Sequence, residues 1–291
     1  MQPLITHPVV CRPALPADTA DVLEFTKFIW EGHDYIKDVW RDWLADPEGL
    51  LAAAVYGPHT VGIAKVTLIS SGQWWLEGFR VDLNYQGLKI GSHLHEYLDR
   101  WWLEHGDGTL RLMTSSERVQ VQHLCARTGY TKVGEVWAYT APTVEGSPHG
   151  FELVGAHEVA EAVKFASAQL AGPHKLLDLG WRFAAPDSAT LGRLIRDQRL
   201  YWWRGRTGLA GFWQDDDEAG RVLAISLVAC APKELTKLLA GIPSLAKQNG
   251  YASVLWLAPN DKPIQAEMTS AGYTSEWDHA GFVYEKKHPD A

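Results

Sequence analysis

The sequence predicts a mixed α/β fold, an α+β arrangement around a mixed sheet, laid down twice in tandem. Residues 74–102 read as a strand, a tight turn and a helix. Residues 8–141 continue that reading in the order strand, two helices, three meandering strands, turn, helix, strand, helix, strand. A Gly-Tyr-Thr step at Gly129-Tyr130-Thr131 returns at Gly272-Tyr273-Thr274, about one domain length later. A chain of 291 residues has room for two full cores.

Val9 to Pro13 is the first strand, and a helix begins near Asp18-Thr19 with Val22, Phe25 and Ile29 as its apolar stripe. A second helix runs through Ile36, Val39, Trp40, Trp43 and Leu44 and stops at Asp46-Pro47-Glu48-Gly49. Leu51–Tyr56 and Val61–Ile69 are strands joined by Gly57-Pro58-His59-Thr60, a hairpin signal. Trp75, Glu77, Phe79 and Val81 then alternate with Leu76, Gly78, Arg80 and Asp82, as a two-faced strand requires. Asn84 to Ser92 holds Gly87 and Gly91, which let backbone approach a ligand closely. Ile90, Leu94, Tyr97, Leu98, Trp101 and Trp102 recur at helical spacing, so this loop empties into a helix N-terminus. Free N–H groups there, with the helix dipole, make an anion site. Leu110–Thr114, a helix ending near Thr128, and a strand through Val133, Val136 and Tyr139 complete the first copy.

Pro142–Pro148 is a linker, which places the domains at residues 1–141 and 150–291. In the second copy Phe151–Val154 is a strand, and Val159 to Leu170 and Leu191 to Gln198 mark helices, the latter capped by Asp187 or Ser188. Tyr201-Trp202-Trp203 and Leu209–Trp213 flank a turn, and Val222–Ala229 is a central strand. Val254 to Leu257, a helix, Gly272-Tyr273-Thr274 and a strand then repeat the close of the first copy. Where the first copy has Gln86–Gly91, the second has Cys230-Ala231-Pro232-Lys233, without glycine and with one N–H removed by proline.

Bulk numbers exclude several classes. Hydrophobic content of 46% with 21% charged residues is ordinary globular composition. A net charge of −8 argues against general nucleic-acid binding. Cys11, Cys125 and Cys230 are too widely spaced for a metal pair or a disulfide framework, and no apolar run reaches the length of a membrane span. The expected setting is the cytoplasm, with no membrane or nucleic-acid partner, as a monomer or homodimer. His93 and His95 face different ways on a helix, so no metal is expected. Asp215 to Glu218 reads as a solvated hairpin tip, and the arginines from Arg193 to Arg206 as exposed helix and turn.

The Gln86-Gly87-Leu88-Lys89-Ile90-Gly91 turn and the element order around it resemble the GCN5-related N-acetyltransferase (GNAT) family. The family's turn reads Arg/Gln-x-x-Gly-x-Gly/Ala, so Lys89 stands where the middle glycine would be and must take a conformation glycine takes more easily. Gly32 to Tyr35, with Trp40, Trp43-Leu44 and Asp46-Pro47, also resembles a prokaryotic subgroup, and histidine N-acetyltransferase-like proteins show a related arrangement. The resemblance implies acetyl-coenzyme A as cosubstrate. Gln86, Gly87, Leu88, Lys89, Ile90, Gly91 and Ser92 would surround its pyrophosphate, and Phe79, Arg80 and Val81 its pantetheine arm. The Val81 N–H would be the oxyanion donor.

Acetyl transfer to an amine needs a group that takes a proton. Glu77, in a segment resembling the family's Glu-x-Leu-x-Val, is the expected base, with an ion-paired strand glutamate as its alternative. The family often carries a tyrosine acid where this chain has Cys125, which either substitutes as acid or is a buried structural cysteine. Arg118 stands at the family's asparagine position and reads as a solvated helix residue. Trp30, Glu31 and Tyr35, between the first two helices, offer aromatic walls and a carboxylate to an ammonium group. The expected activity is N-acetylation of a small primary amine such as an amino acid. Acetylation of a protein N-terminus or lysine, and non-catalytic acyl-coenzyme A sensing, are the alternatives. The second copy is expected to be degenerate, supporting the first and walling one side of its acceptor cleft.

Overall fold

The computed structural model describes residues 7–217 and 220–290, with the side chains of Trp30, Glu31 and Asp217 left aside. Among the described residues there are two compact units, 7–112, 127–129 and 286–290 in one and 113–126, 130–217 and 220–285 in the other.

The first unit follows the expected order closely. Strand β1 (Val9–Pro13), helices α1 (Thr19–Thr26) and α2 (Ile36–Ala45), strands β2 (Leu50–Tyr56), β3 (His59–Ser70) and β4 (Gln73–Val81), helix α3 (Ile90–His105) and strand β5 (Thr109–Ser115) succeed one another. The last residues of β5 lie in the second unit. The sheet order is β1-β2-β3-β4-β5, with antiparallel neighbours except β4 and β5. That parallel pair has three rungs, Gln73–Thr109, Trp74–Leu110 and Trp75–Arg111, after which the register ends. Parallel neighbours need a crossover, and α3 supplies it.

One face of this sheet packs α1 and α2, through Val22, Phe25, Ile36, Trp40 and Trp43 against Leu51 and Ile63. The opposite face receives α3, whose Leu94, Leu98 and Trp102 are fully buried. Gly62 allows that approach: a Cβ there would lie 2.8 Å from the Ile90 side chain.

The second unit begins with helix α4 (Val119–Arg127) and strand β6 (Thr131–Pro142). Strand β7 (Phe151–Leu153), helix α5 (Val159–Gln169), strands β8 (Leu177–Asp178) and β9 (Phe183–Ala184), helix α6 (Ser188–Arg196) and strands β10 (Leu200–Trp203), β11 (Gly208–Asp217) and β12 (Gly220–Cys230) follow. Helix α7 (Leu235–Gln248), strand β13 (Ser253–Pro259), helix α8 (Lys262–Ser270) and strands β14 (Thr274–Ser275) and β15 (Gly281–Lys287) close the chain. Asp187 caps α6 as expected, its side chain accepting from Thr190 N–H at 2.7 Å. The small β8–β9 hairpin between α5 and α6 had no counterpart in the sequence reading.

The sheet of this unit runs β15-β6-β13-β12-β11-β10-β7, with β14 also pairing β6. Only β12 and β13 are parallel among its neighbours, again over three rungs, Val222–Ser253, Leu223–Val254 and Ala224–Leu255. A strand–helix–strand order has thus been written twice with the same truncated parallel pair. The expected boundary lies at residues 141–150, but β6, which precedes it, belongs to the second compact unit. It pairs with β13 from Ser253–Pro142 to Pro259–Val136 and with β15 on its other edge. A strand with a generic alternating pattern does not announce which edge it will join.

Candidate functional site

The turn between β4 and α3 is the first part of the site. Asp82 starts it by accepting from Asn84 N–H at 2.9 Å, which closes a short 3₁₀ turn over Leu83–Tyr85. Gly87 then takes φ +86° and Lys89 takes φ +55°, both left-handed. Lys89 is the N-cap of α3, and its carbonyl accepts from His93 N–H at 3.0 Å. The lysine in this slot therefore adopts the glycine-like conformation, at a cost of ~1–2 kcal/mol, and carries a cationic side chain at the N-cap position. Among the described residues, the N–H groups of Lys89, Ile90, Gly91 and Ser92 have no acceptor. A Cβ built on Gly91 meets nothing within 4 Å, so the space above this terminus is open. Aligned N–H dipoles, an adjacent cation and open space are what a pyrophosphate needs. Ile90 contributes backbone alone, its side chain being buried against Gly62.

The second copy's corresponding turn lacks this character. Between β12 and α7, Glu234 N–H is bonded to Ala231 O at 2.9 Å and Leu235 N–H to Pro232 O. Those donors are spent inside a 3₁₀ turn, and Pro232 has none.

The second part of the site is β4 beyond its last rung to β5. Opposite β3 the register shifts, with Lys65 facing Glu77 and Ile63 facing Arg80, so Gly78 and Phe79 form a bulge against Ala64. The extra residue puts Glu77 and Arg80 on the same sheet face, the one covered by α1 and α2, and turns Phe79 toward α3, its ring centred 6.1 Å from that of His95. The period-2 reading, which put Glu77 and Arg80 on opposite faces, missed this bulge. Its signal was Gly78, which has φ +67°. Ring atoms of Trp43 would lie 2.5 Å from a Cβ at this position. Gly78→Ala is therefore expected to destabilise the protein by about 2–4 kcal/mol, from overpacking plus left-handed strain, read as a lowered urea midpoint.

Glu77 is half-buried, and Thr67 donates its hydroxyl to Glu77 Oε1 at 2.6 Å. Across the strand from it, Lys65 is 1% exposed and ion-paired with Asp46, which follows α2. Arg80 does not reach toward a cofactor with its side chain. Its guanidinium holds Asp34 through Nε at 2.6 Å and Nη2 at 3.2 Å, both residues being buried. Asp34 Oδ1 also accepts from Ile36 N–H at 3.1 Å, so this ion pair fixes the start of α2. Tyr35 sits beside it, 37% exposed, with the Arg80 guanidinium 5.2 Å from its ring centre and Trp43 edge-on at 6.1 Å. Sequence reasoning named Tyr35, Glu77 and, within the segment 30–35, Asp34, but not the Arg80 that Asp34 pairs with, nor Thr67 or Lys65. The side chains of Trp30 and Glu31 lie outside the described residues.

Cys125, in the second unit, is fully buried and its thiol is pushed up to about 12 by burial. Of the two sequence readings of Cys125, acid or buried structural cysteine, its burial favours the second. Among the described residues no group of three or more metal-ligating side chains converges, and no helix is long and apolar enough to cross a membrane.

Residues 18–130 match the model of the acetyltransferase (GNAT) family. No curated protein sequence matches the chain. Among solved structures, a GCN5-related N-acetyltransferase from Sphaerobacter thermophilus is similar with a TM-score of 0.63 and 15% identity, covering 96% of this chain and 95% of its own. A tandem GNAT protein from the clavulanic acid biosynthesis pathway is similar over 96% of this chain and 98% of its own, with a TM-score of 0.58 and 11% identity. A glucosamine N-acetyltransferase region of a fungal multi-domain β-N-acetylglucosaminidase is similar over 97% of this chain and 38% of that one, with a TM-score of 0.68 and 15% identity. At such identities these likenesses establish the fold, a mixed α/β architecture shared with GNAT acyltransferases.

Proposed function

We propose that the protein transfers an acetyl group from acetyl-coenzyme A directly to a small primary amine, with Glu77 as general base, a reading supported by the match of residues 18–130 to the acetyltransferase (GNAT) family model. The observation that carries the reading is the placement of Glu77. It lies two residues past the last β4–β5 rung, on the strand whose end feeds the N–H-lined turn.

Gln86 to Ser92 would hold the pyrophosphate, with the Lys89 to Ser92 N–H groups as donors and the Lys89 ammonium as counter-charge. The backbone of Phe79 to Val81 would receive the pantetheine arm, and the Val81 N–H would stabilise the developing oxyanion. Bound there, acetyl-coenzyme A supplies an acyl carbon activated as a thioester. An amine attacks only when neutral, so Glu77, directly or through water, takes the ammonium proton. Tyr35 and the α1–α2 connection would receive the acceptor, the tyrosine ring offering a face to its cationic form. The second copy would be degenerate toward coenzyme A, because its turn has already bonded the donors that a pyrophosphate uses.

Thr67 has a role in this scheme. Its hydroxyl donates to one carboxylate oxygen and fixes the orientation of the side chain. Thr67→Val is expected to lower kcat about tenfold, the weight of one hydrogen bond to a charged group, while Thr67→Ser restores it; steady-state kinetics checks both. Acetylation of a protein N-terminus or lysine uses the same chemistry, and a screen of amines and peptides for thiol release tells the acceptors apart. A non-catalytic acyl-coenzyme A sensor is the second reading, favoured by the weak acidity of Cys125. Calorimetric titration with acetyl-coenzyme A, followed by that screen, tests the proposal: binding without release from any acceptor supports the sensor, and absence of binding overturns both.

A further inference from the structure

Among the described residues, two buried cations lie on the sheet face that carries Glu77, and each is bound to a carboxylate of the fold. Lys65, directly opposite Glu77 in the β3–β4 register, is ion-paired with Asp46 and donates to the Val66 carbonyl at 3.0 Å. Arg80 holds Asp34 through Nε and Nη2 and gives Nη1 to the Phe79 carbonyl at 3.0 Å. All three guanidinium nitrogens are thus engaged inside the protein. Two cations face three carboxylates, Asp34, Asp46 and Glu77, which leaves this group of side chains one negative charge. The lysine and arginine of α2, Lys37 and Arg41, are exposed and stand off the helix's buried stripe of Ile36, Trp40 and Trp43.

Beside these charges, the connection between α1 and α2 carries aromatic side chains into solvent. Phe28 is 67% exposed there, and more than a third of Tyr35 is open. Tyr35 is nevertheless fixed, by the Arg80 guanidinium 5.2 Å from its ring centre and by Trp43 edge-on at 6.1 Å. A ring already held in place binds an apolar group at little further cost in side-chain entropy.

We propose that the acceptor is an arylalkylamine with no carboxylate beside its amine, an inference that rests on the reading of Glu77 as the group that takes the acceptor's proton. An arriving ammonium offsets the surplus negative charge. The α-carboxylate of an amino acid would restore that surplus, and it would come within roughly 6 Å of Glu77, where a like charge opposes ionisation of the base. It would also need a cation of its own. Drawing Arg80 from Asp34, or Lys65 from Asp46, strands a carboxylate in the interior at a large cost. The aryl group then packs on Tyr35. The charge balance thus narrows the small-amine class away from amino acids.

Phenethylamine and L-phenylalanine differ only in the carboxylate, and they test the charge argument on the full-length protein. At saturating acetyl-coenzyme A, kcat/KM for phenethylamine should exceed that for phenylalanine about a hundredfold, the effect of unit charges ~5 Å apart at a partly buried site. Supply of free amine works the other way, because the carboxylate makes the ammonium of phenylalanine the more acidic of the two. Calorimetric titration with each amine gives a readout independent of turnover, with saturable binding expected for phenethylamine alone. Propylamine tests the aryl group. Wild-type protein should prefer phenethylamine to propylamine, and Tyr35→Ala should reduce that preference about tenfold. Should the variant fail to fold, the wild-type preferences decide. Phenylalanine bound or acetylated as well as phenethylamine overturns the inference and leaves acetyl transfer standing, and so does propylamine used as well as phenethylamine. Thiol release with none of the three overturns it too, and the wider amine screen then decides whether the reading beneath it falls as well.

Discussion

Glu77→Gln is expected to lower kcat by roughly two to four orders of magnitude, the usual weight of a positioned general base, while the dissociation constant of acetyl-coenzyme A stays within about twofold. The two effects separate because Glu77 lies on β4 and the cradle beyond its end, at the start of α3. Glu77 belongs to the face covered by α1 and α2, where Thr67 holds it. The pyrophosphate donors begin at Lys89, across the 3₁₀ turn of Leu83–Tyr85. Glutamine keeps the shape and accepts the Thr67 hydroxyl through its amide oxygen, so neither the bulge nor the Gly78–Trp43 contact is disturbed. It cannot accept a proton at neutral pH. Stopped-flow detection of free thiol with the best acceptor amine, beside calorimetry, checks both halves. A variant that retains wild-type turnover would remove Glu77 from the chemistry, and the base would then have to be sought elsewhere on the α1–α2 face.

Much of the first copy was legible because its information is local. A helix start at Thr19, a hairpin at residues 57–60 and a glycine-bearing turn ahead of Ile90 are each written within a few residues. Lys89 could be read the same way: a residue in the family's glycine slot was expected in glycine's conformation, and it has φ +55°. What escaped is non-local. Asp34 and Arg80 are 46 positions apart, and nothing in either segment marks the partner. Nothing in the sequence marked Lys65, yet it is buried and paired with Asp46. The side-chain direction of Arg80 depended on a bulge that only the lone glycine at 78 hinted at. The membership of β6 in the second unit depended on which free sheet edges β13 and β15 would offer. Cys125 illustrates a different limit. Its position in the family pattern left acid and buried structural cysteine both open, and its burial, which pushes the thiol up to about 12, favours the second.

Gly91→Asp is expected to reduce acetyl-coenzyme A affinity at least about a hundredfold without loss of stability, and the reason lies in the unspent donors of α3. A Cβ at this position projects into open space, and residue 91 lies in the first turn of the helix. The new carboxylate would accept from the N–H groups of the terminus and meet the positive end of the dipole, an arrangement worth ~0.3–1 kcal/mol to the helix. What stabilises the free protein is what defeats the ligand. The donors are taken, and a diphosphate arriving there meets a like charge instead of a counter-charge. Gly87→Asp should weaken binding as well, but less cleanly. Residue 87 has φ +86°, so a side chain there adds backbone strain of ~1–2 kcal/mol, and lost affinity could reflect a distorted turn. The pair of variants therefore reads the cause. Thermal unfolding of Gly91→Asp should match or exceed wild type while calorimetry shows binding gone. A destabilised Gly91→Asp would mean that the turn is held by contacts other than its own capping. A stable one that still binds would place the pyrophosphate away from α3 altogether, and the cosubstrate assignment of residues 86–92 would fall with it.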